Sequence, residues 1–92
     1  MFNNILHQPV RSKLMAILMN NEELPFKVLK EQLELTDGNL SSHLKKLDEV
    51  KYIVIEKYFE SKRPKTVIKI SPQGKDAFKI YIKQLKIFIE GN

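Results

Sequence analysis

Ninety-two residues, 42% of them hydrophobic, with three glycines and no cysteine, describe one small globular domain spanning 1–92 and exclude a disulfide framework or a thiolate metal site. No apolar run approaches the length of a membrane span and the start lacks a signal-peptide arrangement, so a cytoplasmic protein without a membrane partner is expected. The net charge of +5 is uneven: residues 1–50 carry six Lys/Arg against seven Asp/Glu, and residues 51–92 carry ten against four. A basic excess in the second half suits a polyanionic partner.

In chain order, Phe2, Ile5 and Leu6 are an apolar set too small to fold alone and are expected to pack on another element or on a second subunit. Gln8 or Pro9 opens a first helix. Val10, Leu14, Ile17 and Leu18 keep helical spacing through Met19, and Asn20-Asn21 ends it. A second helix of about ten residues follows Leu24, with Pro25 at its start and Phe26, Leu29 and Leu33 inward. The connection Glu34-Leu35-Thr36 is so short that the next helix must cross at a steep angle and project outward, the pattern of a helix-turn-helix.

That next helix, about residues 36–50, starts at Thr36, whose hydroxyl can cap the first turn, and Asp37 suits the positive end of the dipole. At about 100° per residue, Leu40, Leu44 and Leu47 form one inward stripe. Gly38, Ser42, Lys45, Lys46 and Glu49 fall opposite, flanked by Asn39 and Ser41. Short polar side chains allow close approach to base edges, and lysines further along can meet phosphates. An isolated polar arc is more often an ordinary solvated face, so the neighbouring elements decide between the two. His43 lies beside the leucine stripe, the place of a hydrogen-bonded boundary histidine more than of a metal ligand.

After Val50 the period changes. Tyr52 to Phe59 and Thr66 to Ile70 alternate as strands, and Glu60-Ser61-Lys62-Arg63-Pro64-Lys65 is a polar turn, so a β-hairpin with a cationic tip is expected. Lys62, Arg63 and Lys65 can straddle a phosphate backbone, with Arg63 best suited to a minor groove. Tyr58 and Phe59 can stack on bases or pack within the hairpin. Ser71 caps the last helix and Pro72 fills its first turn. Ala77, Phe78, Tyr81, Ile82, Leu85, Phe88 and Ile89 fill one broad arc. Ile80 and Ile87 extend that arc, leaving Lys75, Lys79, Lys83 and Lys86 on a narrow remainder. An apolar arc about twice the usual 100° stripe requires a second surface to bury against.

Taken together, helix, helix, turn, helix, two-stranded wing and long terminal helix resemble the winged helix-turn-helix transcriptional regulators of the MarR and ArsR type. The motifs DGNLSSHLKKL and KISPQGKDAF carry the likeness, which runs from about Pro9 to Phe88. The resemblance implies a fold that is mainly α with a small β-hairpin wing, and a homodimer that binds double-stranded, pseudo-palindromic operator DNA. It assigns DNA contacts to Thr36, Asn39, Ser41, Ser42, His43, Lys45 and Lys46 on the helix and to Lys62, Arg63 and Lys65 on the wing. Dimer contacts are expected from helix 72–90, through Ile80, Tyr81, Gln84, Ile87 and Phe88, with Phe2, Ile5 and Leu6. Lys51 stands where many members of that family have glycine. The metal-sensing branch uses Cys or clustered His and acidic ligands, which this chain lacks, so no metal or cofactor is expected. A small-molecule effector between the terminal helices and the helix-turn-helix is compatible with the residues but not named by them.

An enzyme is not expected: there is no Cys nucleophile and no phosphate-cradling glycine loop, and the two histidines stand 36 positions apart. The rival is a winged helix that serves as a protein-binding subunit of an assembly, since a fold does not fix a function. The cationic wing and the Ser/Asn-lined helix favour DNA over it.

Overall fold

The computed structural model describes residues 2–91. Helix α1 spans Pro9–Met19, strand β1 Leu24–Pro25, α2 Phe26–Leu33, α3 Asp37–Glu49, β2 Ile53–Glu60, β3 Arg63–Ile70 and α4 Pro72–Glu90. The three strands form an antiparallel sheet in the order β1-β3-β2. Two-residue β1 was not legible as a strand, because its pairing, Leu24 with Ile68 and Pro25 with Val67, comes entirely from β3.

Four helices and the sheet base share one core. Leu6, Leu14, Met15, Leu18, Leu29, Leu40, Leu47 and Ile68 are fully buried in it. On α1 the buried face is Arg11, Leu14, Met15 and Leu18, with the expected Val10 and Ile17 only half-buried. Arg11 is tolerated there because its Nε donates to the Ile5 carbonyl at 2.6 Å and a terminal nitrogen donates to His43 Nδ1 at 3.1 Å. A buried guanidinium without such acceptors would carry a large desolvation cost.

Both helices of the helix-turn-helix end alike. Beyond α2, Glu34 N–H donates to Glu31 O and Leu35 N–H to Lys30 O; beyond α3, Lys51 N–H donates to Asp48 O and Tyr52 N–H to Leu47 O. Each pair is a Schellman closure, which needs a left-handed residue just past the helix. Glu34 and Lys51 supply it, with φ of 53° and 62°. Lys51 therefore takes up the backbone conformation that glycine adopts more easily, and α3 still ends there.

The base of the hairpin is clamped to α4. Ser71 Oγ donates to Lys51 O at 2.6 Å and accepts from Gly74 N–H at 2.9 Å, while Ser71 N–H donates to Tyr52 O at 3.0 Å. Gly74 packs so tightly on Tyr52 that an added Cβ would land on the Tyr52 carbonyl.

The hairpin differs from expectation. Its connection is Ser61-Lys62 alone, with both residues at positive φ, 51° and 65°, as a type I′ turn requires. Arg63, Pro64 and Lys65 belong to β3, paired with Glu60, Phe59 and Tyr58. Pro64 is accommodated because the pairs flanking a two-residue turn alternate. Its position opposite Phe59 is one where a strand N–H points away from β2, towards an edge that β1 does not reach. Proline and charge, read in sequence as loop, here occupy the outer half of β3, where the side away from β2 is open.

Left-handed geometry costs a side-chain-bearing residue roughly 1–2 kcal/mol, partly offset by the greater flexibility of unfolded glycine. Lys51→Gly and Glu34→Gly should thus each raise stability by about 1 kcal/mol, read as a higher urea midpoint with an unchanged slope.

Candidate nucleic-acid interface

The outward surface of the helix-turn-helix starts at Thr36. Its Oγ accepts from Asn39 N–H at 3.1 Å and fixes the first turn of α3. The Lys30–Asp37 ion pair, 2.9 Å, spans the turn between α2 and α3. Its side chains are largely exposed, so it contributes little beyond orientation. With Leu40, Leu44 and Leu47 buried, Gly38, Asn39, Ser41, Ser42, Lys45 and Lys46 all emerge at the surface. The expected reading face of α3 is therefore free of the rest of its own chain.

His43 sits at the edge of that face, half-buried, and accepts from Arg11 through Nδ1. In this arrangement the neutral ring carries its proton on Nε2. Burial, then the nearby Arg11 and then Lys46, hold its pKa below the ordinary 6.5. The boundary-histidine expectation describes this residue well, with its Arg11 partner visible only in three dimensions.

The wing lies alongside. Residues directly opposite in an antiparallel pair share a face and alternate along the strand. One face carries Ile53/Ile70, Ile55/Ile68, Lys57/Thr66 and Phe59/Pro64; the other carries Val54/Lys69, Glu56/Val67, Tyr58/Lys65 and Glu60/Arg63. The first face looks towards α3: Ile55, Lys57 and Thr66 line a shallow depression with Ser41, Leu44, Lys45, Asp48 and Phe26. Lys57 and Thr66 thus join Ser41 and Lys45 at one surface. Both were missed as site residues, although the alternation Ile53, Ile55, Lys57 is the signal that would have found Lys57.

On the other face the charges are largely matched. Lys65 Nζ lies 2.9 Å from Glu60, and Lys69 lies 2.7 Å from Glu56 and 3.7 Å from Glu23. The hydrogen bond and charge of Glu60 raise the Lys65 pKa, and those of Glu56 do the same for Lys69. Lys65, expected as a free loop cation, is a strand residue with a carboxylate partner. Lys62 and Arg63 are exposed at the tip and, among the described residues, form no ion pair.

The expected dimer residues divide. Ile80, Ile87 and Phe88 are 59%, 43% and 70% exposed, and Gln84 is exposed as well. Phe2 and Ile5 are half-buried, with Phe2 stacked on His7 and edge-on to Phe88. Leu6 and Tyr81 must be corrected. Leu6 is fully buried in its own core, and Tyr81 is 4% exposed with its hydroxyl 2.9 Å from His7 Nδ1. A side chain already enclosed by its own subunit has no surface left for a partner. Ile82 and Ile89, placed on the broad arc with Phe78 and Tyr81, are exposed.

Comparison with known proteins agrees with this geometry. The family model for a winged helix DNA-binding domain matches residues 10–89, and the chain belongs to that family. It is 46% identical over 81 residues to an uncharacterized protein of Methanocaldococcus jannaschii, covering 88% of each chain. A transcriptional regulator homologue from Pyrococcus horikoshii superposes with a TM-score of 0.91 at 34% identity, over 97% of this chain and 88% of that one. A MarR-family transcriptional regulator from Porphyromonas gingivalis shares the fold at 19% identity, with a TM-score of 0.72 over 96% and 85% of the two chains. Among the described residues no helix is long and apolar enough to cross a membrane.

His43 gives the fold a pH dependence. A base whose folded pKa is lowered is protonated first in the unfolded chain, so the stability from its neutral form is complete above 6.5 and is lost as pH falls through the depressed value. The fall in Tm between about pH 7.5 and about pH 5.5 should be smaller in His43→Gln than in the parent, by differential scanning fluorimetry.

Proposed function

We propose that the protein is a sequence-specific, double-stranded DNA-binding transcriptional regulator acting as a homodimer. The observation that carries this reading is the joint placement of an uncovered Asn39/Ser41/Ser42/Lys45/Lys46 face on α3 and a cationic hairpin beside it. A helix enters the major groove with short polar groups near base edges, while a neighbouring wing meets the backbone or minor groove. In this reading Asn39, Ser41 and Ser42 read bases and Thr36 and His43 donate from the helix flanks. Lys45, Lys46, Lys57, Lys62 and Arg63 meet phosphates, and Lys65 contributes to the potential while tied to Glu60.

The dimer rests on the end of α4. Ile80, Ile82, Ile87, Phe88 and Ile89 leave the second half of α4 apolar and exposed, a surface that a soluble monomer rarely presents. A second copy of the same helix covers it most simply, and two-fold symmetry would place the α3 helices about one DNA turn apart.

If several phosphates are contacted, affinity for duplex should fall by at least about a hundredfold between roughly 50 and 200 mM salt. Lys46→Ala and Arg63→Ala should each reduce both the affinity and the salt slope, leaving Tm nearly unchanged. Retention that ignores salt would instead favour a protein partner. Sedimentation of the purified chain should give a species of twice 10.8 kDa, and Ile87→Glu with Phe88→Glu should return it to monomer. A parent chain that sediments as a monomer at micromolar concentration would remove the dimer.

A further inference from the structure

The wing carries a feature that phosphate binding does not use. Phe59 is 76% exposed, more than any other large hydrophobic side chain of the described residues. It sits one residue from the end of β2, on the α3-facing side of the ribbon, with Pro64 directly across from it. Most of the ring therefore stands in water, which is unfavourable for an apolar side chain.

We propose that Phe59 is a wedge: when the wing enters the minor groove, the ring pushes between two base pairs and bends the duplex. The inference rests on the DNA-binding reading under "Proposed function" and adds to it a mode of contact and a source of sequence preference. Three observations carry it.

The first is position. Along one face of β2, Ile55 and Lys57 lie beside Ser41 and Lys45 of α3, and Phe59 stands two residues further out, about 7 Å beyond Lys57. If α3 lies in the major groove, Lys57 falls at the intervening phosphates. The ring then reaches the minor-groove side.

The second is charge. Glu56 and Glu60, the two carboxylates of the wing, lie on the face away from Phe59 and are each held there by a lysine of that same face, Lys69 and Lys65. Lys57, Lys62 and Arg63 have no ion-pair partner among the described residues: Lys57 shares the face of Phe59, while Lys62 in the turn and Arg63 on the other face stand at the adjoining tip. An exposed phenyl ring with a free cation on its own face and two more at the tip matches a ligand that is both stacked and anionic. A protein hot spot of this kind would place the aromatic in a less charged setting.

The third is stiffness. The two-residue turn, with Ser61 and Lys62 both left-handed, makes the tip narrow, and Pro64 behind the ring fixes the backbone opposite it. A wedge must not yield when it unstacks a step. Proteins that bend DNA from the minor groove use such apolar insertions, and pyrimidine–purine steps yield to them most easily. The wing would thereby favour sites with a TA or CA step at a fixed distance from the bases read by α3.

The test uses the full chain and a duplex of about 30 base pairs, near three helical turns, selected for binding from a random library. The duplex carries a fluorophore pair at its ends and, in a second set, 2-aminopurine at one pyrimidine–purine step at a time. Binding of the parent should raise energy transfer between the ends and brighten 2-aminopurine at one step per half-site. Phe59→Ala and Phe59→Val should abolish both signals and weaken binding about five- to tenfold, the scale of one aromatic–base stack. The valine variant keeps strand propensity, so loss in both separates the missing ring from a damaged hairpin. Lys57→Ala should weaken binding yet keep both signals. A bound duplex that stays straight and dark, or Phe59 variants that bend it as the parent does, would overturn the wedge while leaving DNA binding intact. Failure of the parent to bind any duplex at low salt would overturn the reading beneath it as well.

Discussion

Burial of Leu40, Leu44 and Leu47, none more than 3% exposed, is the constraint on which the molecule depends. Three leucines on one helical arc leave α3 one rotation about its axis that hides them. Each leucine exposed to water would forfeit on the order of 2 kcal/mol, far more than any hydrogen bond on the opposite face contributes. The rotation therefore decides that Asn39, Ser41, Ser42, Lys45 and Lys46 point outward, without any of these residues taking part in the decision. Function on this surface is supported by packing on the other.

What the leucines cannot set is the direction in which α3 leaves the core or where the wing stands beside it. Those are fixed by backbone closures at both ends. Glu34 and Lys51 turn the chain through left-handed conformations that glycine would adopt more readily. The local cost is tolerated because each turn completes two hydrogen bonds that the helix end would otherwise lack. Ser71 then ties the start of β2 to the first turn of α4, and Gly74 permits the close approach. The SPQGK segment thus acts as a joint between wing and terminal helix. Its residues look like a helix start in sequence, and they are one, but the same serine also holds the base of the hairpin.

Charge is organised by face more than by amount. The second half carries the basic excess, yet two of its lysines, Lys65 and Lys69, are taken up by Glu60 and Glu56 on one side of the ribbon. This pairing removes carboxylate repulsion from the wing. It leaves Lys57, Lys62 and Arg63 to set its potential, so the effective cations are fewer than the composition suggests and are differently placed.

The sequence by itself determined the features that obey short-range rules. Periodicity marked the helices and their buried stripes, Thr36 and Ser71 marked helix starts, alternation marked the strands, and the length of the Glu34–Thr36 connection marked the crossing. Most of the candidate surface on α3 was legible for the same reason, since an inward stripe defines an outward one. Tertiary structure alone decided the rest. Strand β1 exists only because β3 pairs with it. Pro64 and its charged neighbours join a strand because the side of β3 away from β2 is open there and spares the missing N–H. Arg11 reaches His43 across two helices, Lys57 meets Lys45 across a depression, and Leu6 and Tyr81 are enclosed while Ile82 and Ile89 are not. In each case the partner is distant in sequence, and no local pattern of hydrophobicity or charge encodes which distant residue will be adjacent.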